Sequence, residues 1–105
     1  GLVYSGPVRD VGQSFLQGNK VVVGFQHVDR ELVTDDGLNP GPFLLAGANG
    51  VYYPATAQIV GSTVEVASLS VPTPKSIRYC WGSYPLCNLF NSSGLPASPF
   101  HMTFP

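Results

Sequence analysis

Charge is what this sequence has least of. Lys and Arg number 5 and Asp and Glu 6, together 10% of 105 residues, for a formal net charge of −1. Phosphate backbones are held by clustered positive charge, so nucleic acid is excluded as a partner. Long apolar runs are missing too. Val21-Val22-Val23 and Phe43-Leu44-Leu45-Ala46 fall far short of the ~20 residues that a membrane-spanning helix needs. No positively charged leader stands before Gly1-Leu2-Val3-Tyr4, so the chain reads as an excised piece or a mature product. Two cysteines and two distant histidines do not match zinc spacing, and no metal or other cofactor is expected. What the chain does have is 44% hydrophobic residues, with 12 Gly and 10 Pro. The first favours a folded chain over a disordered one, and the second interrupts long helices. The length suits one domain, residues 1–105.

Short β-rich runs separated by turn dipeptides set the rhythm. Lys20–Gln26 is rich in β-branched residues and follows Ser14-Phe15-Leu16-Gln17 across Gly18-Asn19, a two-residue hairpin turn. Phe43-Leu44-Leu45-Ala46-Gly47-Ala48 leads through Asn49-Gly50 into Val51-Tyr52-Tyr53, and Ala57-Gln58-Ile59-Val60 leads through Gly61-Ser62 into Thr63–Ala67. Ile77-Arg78-Tyr79-Cys80-Trp81 is a further run, and residues 86–90 are a candidate last strand. No window sustains apolar residues at helical spacing. The pattern predicts an all-β fold, a small antiparallel β-sandwich of jelly-roll or immunoglobulin-like type. Residues 35–42 are turn chemistry throughout and should form a surface loop. Residues 91–100 carry prolines that prevent continuous ladder bonding, which predicts an extended Pro-rich C-terminal tail lying over a surface.

Few residues offer chemistry. His27 with Asp29, Asp35 or Asp36 could be drawn as part of a triad, but no Gly-x-Ser-x-Gly elbow or other nucleophile motif accompanies them. No catalytic residue is assigned, and His27 reads as an ordinary surface or hydrogen-bonded histidine. Cys80 and Cys87 form either a local disulfide, if the chain is extracytoplasmic, or two buried thiols. Asn91-Ser92-Ser93 is a glycosylation sequon, relevant only in a eukaryotic secreted protein. Trp81, Tyr84 and Phe90, with Asn88 and Asn91 nearby, suit a sugar-stacking patch, since flat aromatic faces beside amides combine apolar contact with polar handles. Trp81 could equally fill the core, as Tyr79 is expected to do.

The C-terminal third carries a resemblance. Ser76-Ile77-Arg78-Tyr79-Cys80-Trp81, Tyr84-Pro85, Asn88-Leu89-Phe90-Asn91 and Gly94-Leu95-Pro96-Ala97-Ser98-Pro99-Phe100 resemble the end of sialate O-acetylesterases, which reads VRYAW, a short loop, NLYN and GLPASPFR. Tyr4-Ser5-Gly6-Pro7 is similar to the junction at which that family's accessory domain follows its catalytic one. Phe25-Gln26-His27-Val28, Phe43-Leu44-Leu45-Ala46-Gly47-Ala48 and Tyr53-Pro54-Ala55 fall in the same order. The resemblance implies a non-catalytic C-terminal accessory domain, or a fragment, of an SGNH-type serine hydrolase that removes O-acetyl groups from sialic acid or other acetylated sugars. It also implies an upstream SGNH catalytic domain or large subunit as partner, acetylated carbohydrate as a second partner, and an extracytoplasmic setting (secreted, periplasmic or lysosomal). The family's triad lies upstream of the junction, so none of its members maps onto this sequence. Two positions depart from the pattern: Cys80 stands where the family usually has Ala, and His101 where it has Arg. The alternative function is an autonomous carbohydrate-binding module.

Overall fold

The computed structural model describes residues 6–26, 28, 30–81 and 87–104, with Val11 described by its backbone alone. Among these, nine strands and no helix occur: β1 (Val8–Gln17), β2 (Lys20–Gln26), β3 (Leu32–Thr34), β4 (Phe43–Ala46), β5 (Tyr52–Val60), β6 (Thr63–Ala67), β7 (Ser76–Tyr79), β8 (Leu89–Asn91) and β9 (Phe100–Thr103). Seven of them make one antiparallel sheet in the order β1-β2-β6-β5-β4-β7-β9, while β3 pairs with β8 alone. The all-β expectation holds.

The sheet turns over on β5. Residues 52–55 pair with β4 and residues 56–60 with β6, so one strand serves both halves of a small sandwich. Two short runs read from the sequence are therefore one strand. Pro54 is tolerated within it because β6 takes up pairing only at Thr56, leaving one edge of β5 without a ladder partner at the proline. The halves meet face to face through alternate residues. Val21, Val23 and Phe25 on β2 and Val64 and Val66 on β6 face Phe43, Leu45, Ile77, Tyr79, Phe100 and Met102, all buried in one core. Phe43, Tyr79 and Phe100 stand in one row across β4, β7 and β9. Their ring centroids lie 4.9 Å (Phe43–Tyr79) and 5.6 Å (Tyr79–Phe100) apart, and Phe25 reaches Phe100 from the opposite half at 6.0 Å. The ends of the sheet approach each other too, with the Arg9 guanidinium of β1 5.7 Å from the Phe100 ring centroid.

Turn chemistry behaves as read at Gly18 and Gly61, whose positive φ angles (61° and 62°) close the β1–β2 and β5–β6 hairpins. Between β4 and β5 the connection is residues 47–51, longer than a two-residue turn, with Gly50 N–H bonded to the Gly47 carbonyl and Asn49 Oδ1 accepting from Val51 N–H. β1 begins earlier than its sequence suggests. An irregularity between Asp10 and Phe15 is stapled by Ser14, whose Oγ donates to the Asp10 carbonyl at 2.7 Å and accepts from Gly24 N–H at 3.1 Å. A Cβ at Gly24 would meet the Gln13 Cβ at 2.5 Å, so only glycine lets the two strands approach there.

The C-terminal segment is not an extended tail. Residues 89–91 form β8, Phe90 bridges to Pro96, and residues 100–103 form β9 on the edge of the main sheet. The prolines occupy the connection, which leaves the flanking residues free to pair. Leu89, Phe100 and Met102 are buried in the domain's own core.

Candidate functional site

Of the side chains expected to form a stacking patch, Tyr84 lies outside the described residues, as do His27 and Asp29. The others separate, with Phe90 on β8 bridged to Pro96. Asn88 is buried beneath the 35–42 loop. Its Oδ1 accepts from Gly41 N–H at 2.9 Å, and its Nδ2 donates to the Asn39 carbonyl at 2.9 Å and to Asp36 Oδ1 at 3.0 Å. Asp36 also accepts from Leu38 N–H at 3.0 Å. That backbone donor, and then Asn88, hold its carboxyl below the ordinary carboxylate value. Asn91 is 1% exposed, and its Oδ1 accepts from Ser93 N–H and Leu95 N–H, both at 3.0 Å. Asn88 is spent on closing the distant 35–42 loop, and Asn91 on folding back its own. A sugar-facing role for Asn88 and Asn91 is therefore revised, and so is Asn91 as a glycan attachment point, because its side chain is turned into the protein.

Trp81 is 48% exposed and lies instead against a different set of residues. The outer face of β5-β4-β7-β9 carries Tyr52, Ser76, Arg78 and His101, which strand alternation sets opposite the core row. Arg78 and His101 are direct cross-strand partners. Ala46 occupies the β4 position between Tyr52 and Ser76, and its small side chain lets the tyrosine reach across: Tyr52 Oη lies 2.8 Å from Ser76 Oγ and 3.1 Å from His101 Nε2. The Arg78 guanidinium sits 3.9 Å from the Tyr52 ring centroid and 5.5 Å from that of Trp81. The His101 ring lies 5.7 Å from Trp81. A cation thus stands between two aromatic rings, an arrangement that fixes a guanidinium by cation–π attraction. Sequence reading found Trp81 but not its companions. The available signal was the two-residue period of Phe100-His101-Met102-Thr103, which places His101 on the outer face.

Arg78 Nε is buried and has no hydrogen-bond partner. The ion pair among the described residues is Lys20–Glu65 at 3.1 Å, on another part of the sheet, and no carboxylate meets Arg78. Cys80 follows at the end of β7 with φ of 56° and is disulfide-bonded to Cys87, Cα atoms 5.7 Å apart. No group of three or more metal-ligating side chains occurs among the described residues.

These features define an all-β domain with a cation–aromatic cluster on one sheet face and no described nucleophile–base–acid constellation. No protein-family model and no curated relative matches the chain. Among solved structures it is similar to the crystal structure of XAC1771, a carbohydrate acetylesterase from Xanthomonas citri, with a TM-score of 0.87 and 40% identity. The likeness covers 96% of this chain and 23% of that one, so the chain spans about a quarter of the length of the acetylesterase it matches.

Proposed function

We propose that the chain is a non-catalytic accessory β domain of a carbohydrate O-acetylesterase, supporting a separate SGNH-type catalytic region that removes acetyl groups from sugars. The observation that carries this reading is a 40%-identical match over nearly the whole chain to only 23% of a carbohydrate acetylesterase. A portion of that size leaves ample chain elsewhere for a catalytic domain. The GLPASPF and RYxW motifs make O-acetylated sialic acid the first substrate to try. An extracytoplasmic site agrees with the Cys80–Cys87 bond. The module alternative is weaker once Asn88 and Asn91 are committed to loop backbone, because Trp81 then lacks the amides that orient a sugar.

The test is acetate release from O-acetylated sialic acid and from acetylated xylan by the full polypeptide carrying this domain. Release by the full polypeptide, with none by residues 1–105 alone, is expected. Release by residues 1–105 alone, or none by the full polypeptide on either substrate, would overturn the assignment.

A further inference from the structure

We infer that the outer face bearing Tyr52, Ser76, Arg78, Trp81 and His101 is the surface on which the rest of the acetylesterase polypeptide docks, with an Asp or Glu carboxylate of that region received by Arg78. The inference rests on the accessory-domain reading and adds to it the face, the anchor and the chemistry of the partner. Three observations carry it. The Arg78 guanidinium lies over two rings on a part-exposed residue, and no carboxylate among the described residues answers its charge. A guanidinium held in place on a part-exposed residue, without a counter-ion among the described residues, is set to donate a charge-assisted hydrogen bond to a docking carboxylate. Trp81 stands half-exposed beside it, and tryptophan, tyrosine and arginine are the residues that anchor protein interfaces. In the XAC1771 match about three quarters of the chain lies outside the part that resembles this domain, which supplies a partner held permanently close.

Other occupants fit less well. A second copy docking by two-fold symmetry would set Arg78 against cationic and aromatic groups, since the face carries no acid among the described residues. A small ligand favours a concave site. This cluster lies on a sheet face, whereas a surface groove of about 350 Å³ lies elsewhere, lined by residues 47–49, 53 and 70–73.

Hydroxyl-radical labelling read by mass spectrometry tests the proposal by comparing the full polypeptide with residues 1–105 alone. Leu69, fully exposed, is the reference for accessible side chains, and core Tyr79 reports that the domain is folded. Trp81 should label several-fold more slowly in the full polypeptide, while Leu69 is unchanged. Arg78→Glu in the full polypeptide should restore Trp81 labelling with Tyr79 still protected; the wild-type comparison decides the matter even if that variant fails to fold. Equal Trp81 labelling in both wild-type forms would overturn the docking surface. So would protection of residues 1–105 that grows with protein concentration, which indicates a second copy, or that appears only on adding glucuronate, which indicates a small-ligand site. Acetate release combined with an unprotected Trp81 would remove the docking surface and leave the esterase reading. Protection without acetate release would do the reverse.

Discussion

The hydroxyl of Tyr79 accepts the Leu89 N–H at 3.2 Å inside the core, so one side chain both fills the sandwich and holds β8 against β7. Burial pushes its phenol above the ordinary value. Tyr79→Phe keeps the ring but leaves a buried N–H unpaired, which costs about 1–3 kcal/mol. Urea unfolding should show a lower midpoint with an unchanged slope, and an unchanged midpoint would remove the hydrogen bond from the account. Asn88 acts similarly on the 35–42 loop. Asp36 has its pKa depressed in the fold, so the stability it contributes is present above its ordinary value of 3.8 and is lost as pH falls through the lower folded value. Asn88→Ala removes one of the two main donors and leaves Leu38 N–H, so the Asp36 pKa should rise part of the way to the ordinary value. An NMR titration of the Asp36 carboxyl carbon reads this directly. Tyr79 was legible as a core residue, but its bond to Leu89 and the bracing by Asn88 were not. Asn beside a turn-rich loop looks the same whether it faces solvent or closes the loop from beneath, and the contacts span 47 to 52 residues of chain.

Hairpins were legible as elements because their information is local: Gly18-Asn19 and Gly61-Ser62 sit between runs that alternate or are rich in β-branched residues. β3, β8 and β9 were harder to see, because each is three or four residues long and gains its identity only from a distant partner. β9 matters most. Phe100 contacts Phe25, Phe43 and Tyr79 at 6.0, 6.3 and 5.6 Å between ring centroids, so it ties both halves of the sandwich together. Phe100→Ala should destabilise the domain by about 3–5 kcal/mol, the usual cost of emptying an aromatic core site. A thermal midpoint within error of wild type would return the segment to the status of a loose end. The Cys80–Cys87 loop is a second element-scale case. In protein purified without reductant the bond should leave no reactive thiol under denaturing conditions, and its short loop contributes on the order of 2–3 kcal/mol. Counting two thiols would exclude it.

For the whole molecule the question is whether the domain can carry out chemistry by itself. Ser76, Tyr52 and His101 form the arrangement nearest to a hydrolytic relay, with 2.8 Å between Ser76 Oγ and Tyr52 Oη and 3.1 Å between Tyr52 Oη and His101 Nε2. It lacks what a triad needs. The serine meets a phenol rather than an imidazole, it is only 9% exposed, and no carboxylate among the described residues orients the histidine. Its geometry is that of a brace across β5, β7 and β9, holding the strands that present Arg78 and Trp81. Residues 1–105 alone should therefore release no p-nitrophenol from p-nitrophenyl acetate above the rate of an unrelated protein at equal concentration, and Ser76→Ala should leave that background unchanged. Because free imidazoles cleave this ester slowly by themselves, the comparison protein must carry the same number of histidines. A saturable rate abolished by that substitution would show a real active site on this face and would displace both the brace and the docking surface built on it.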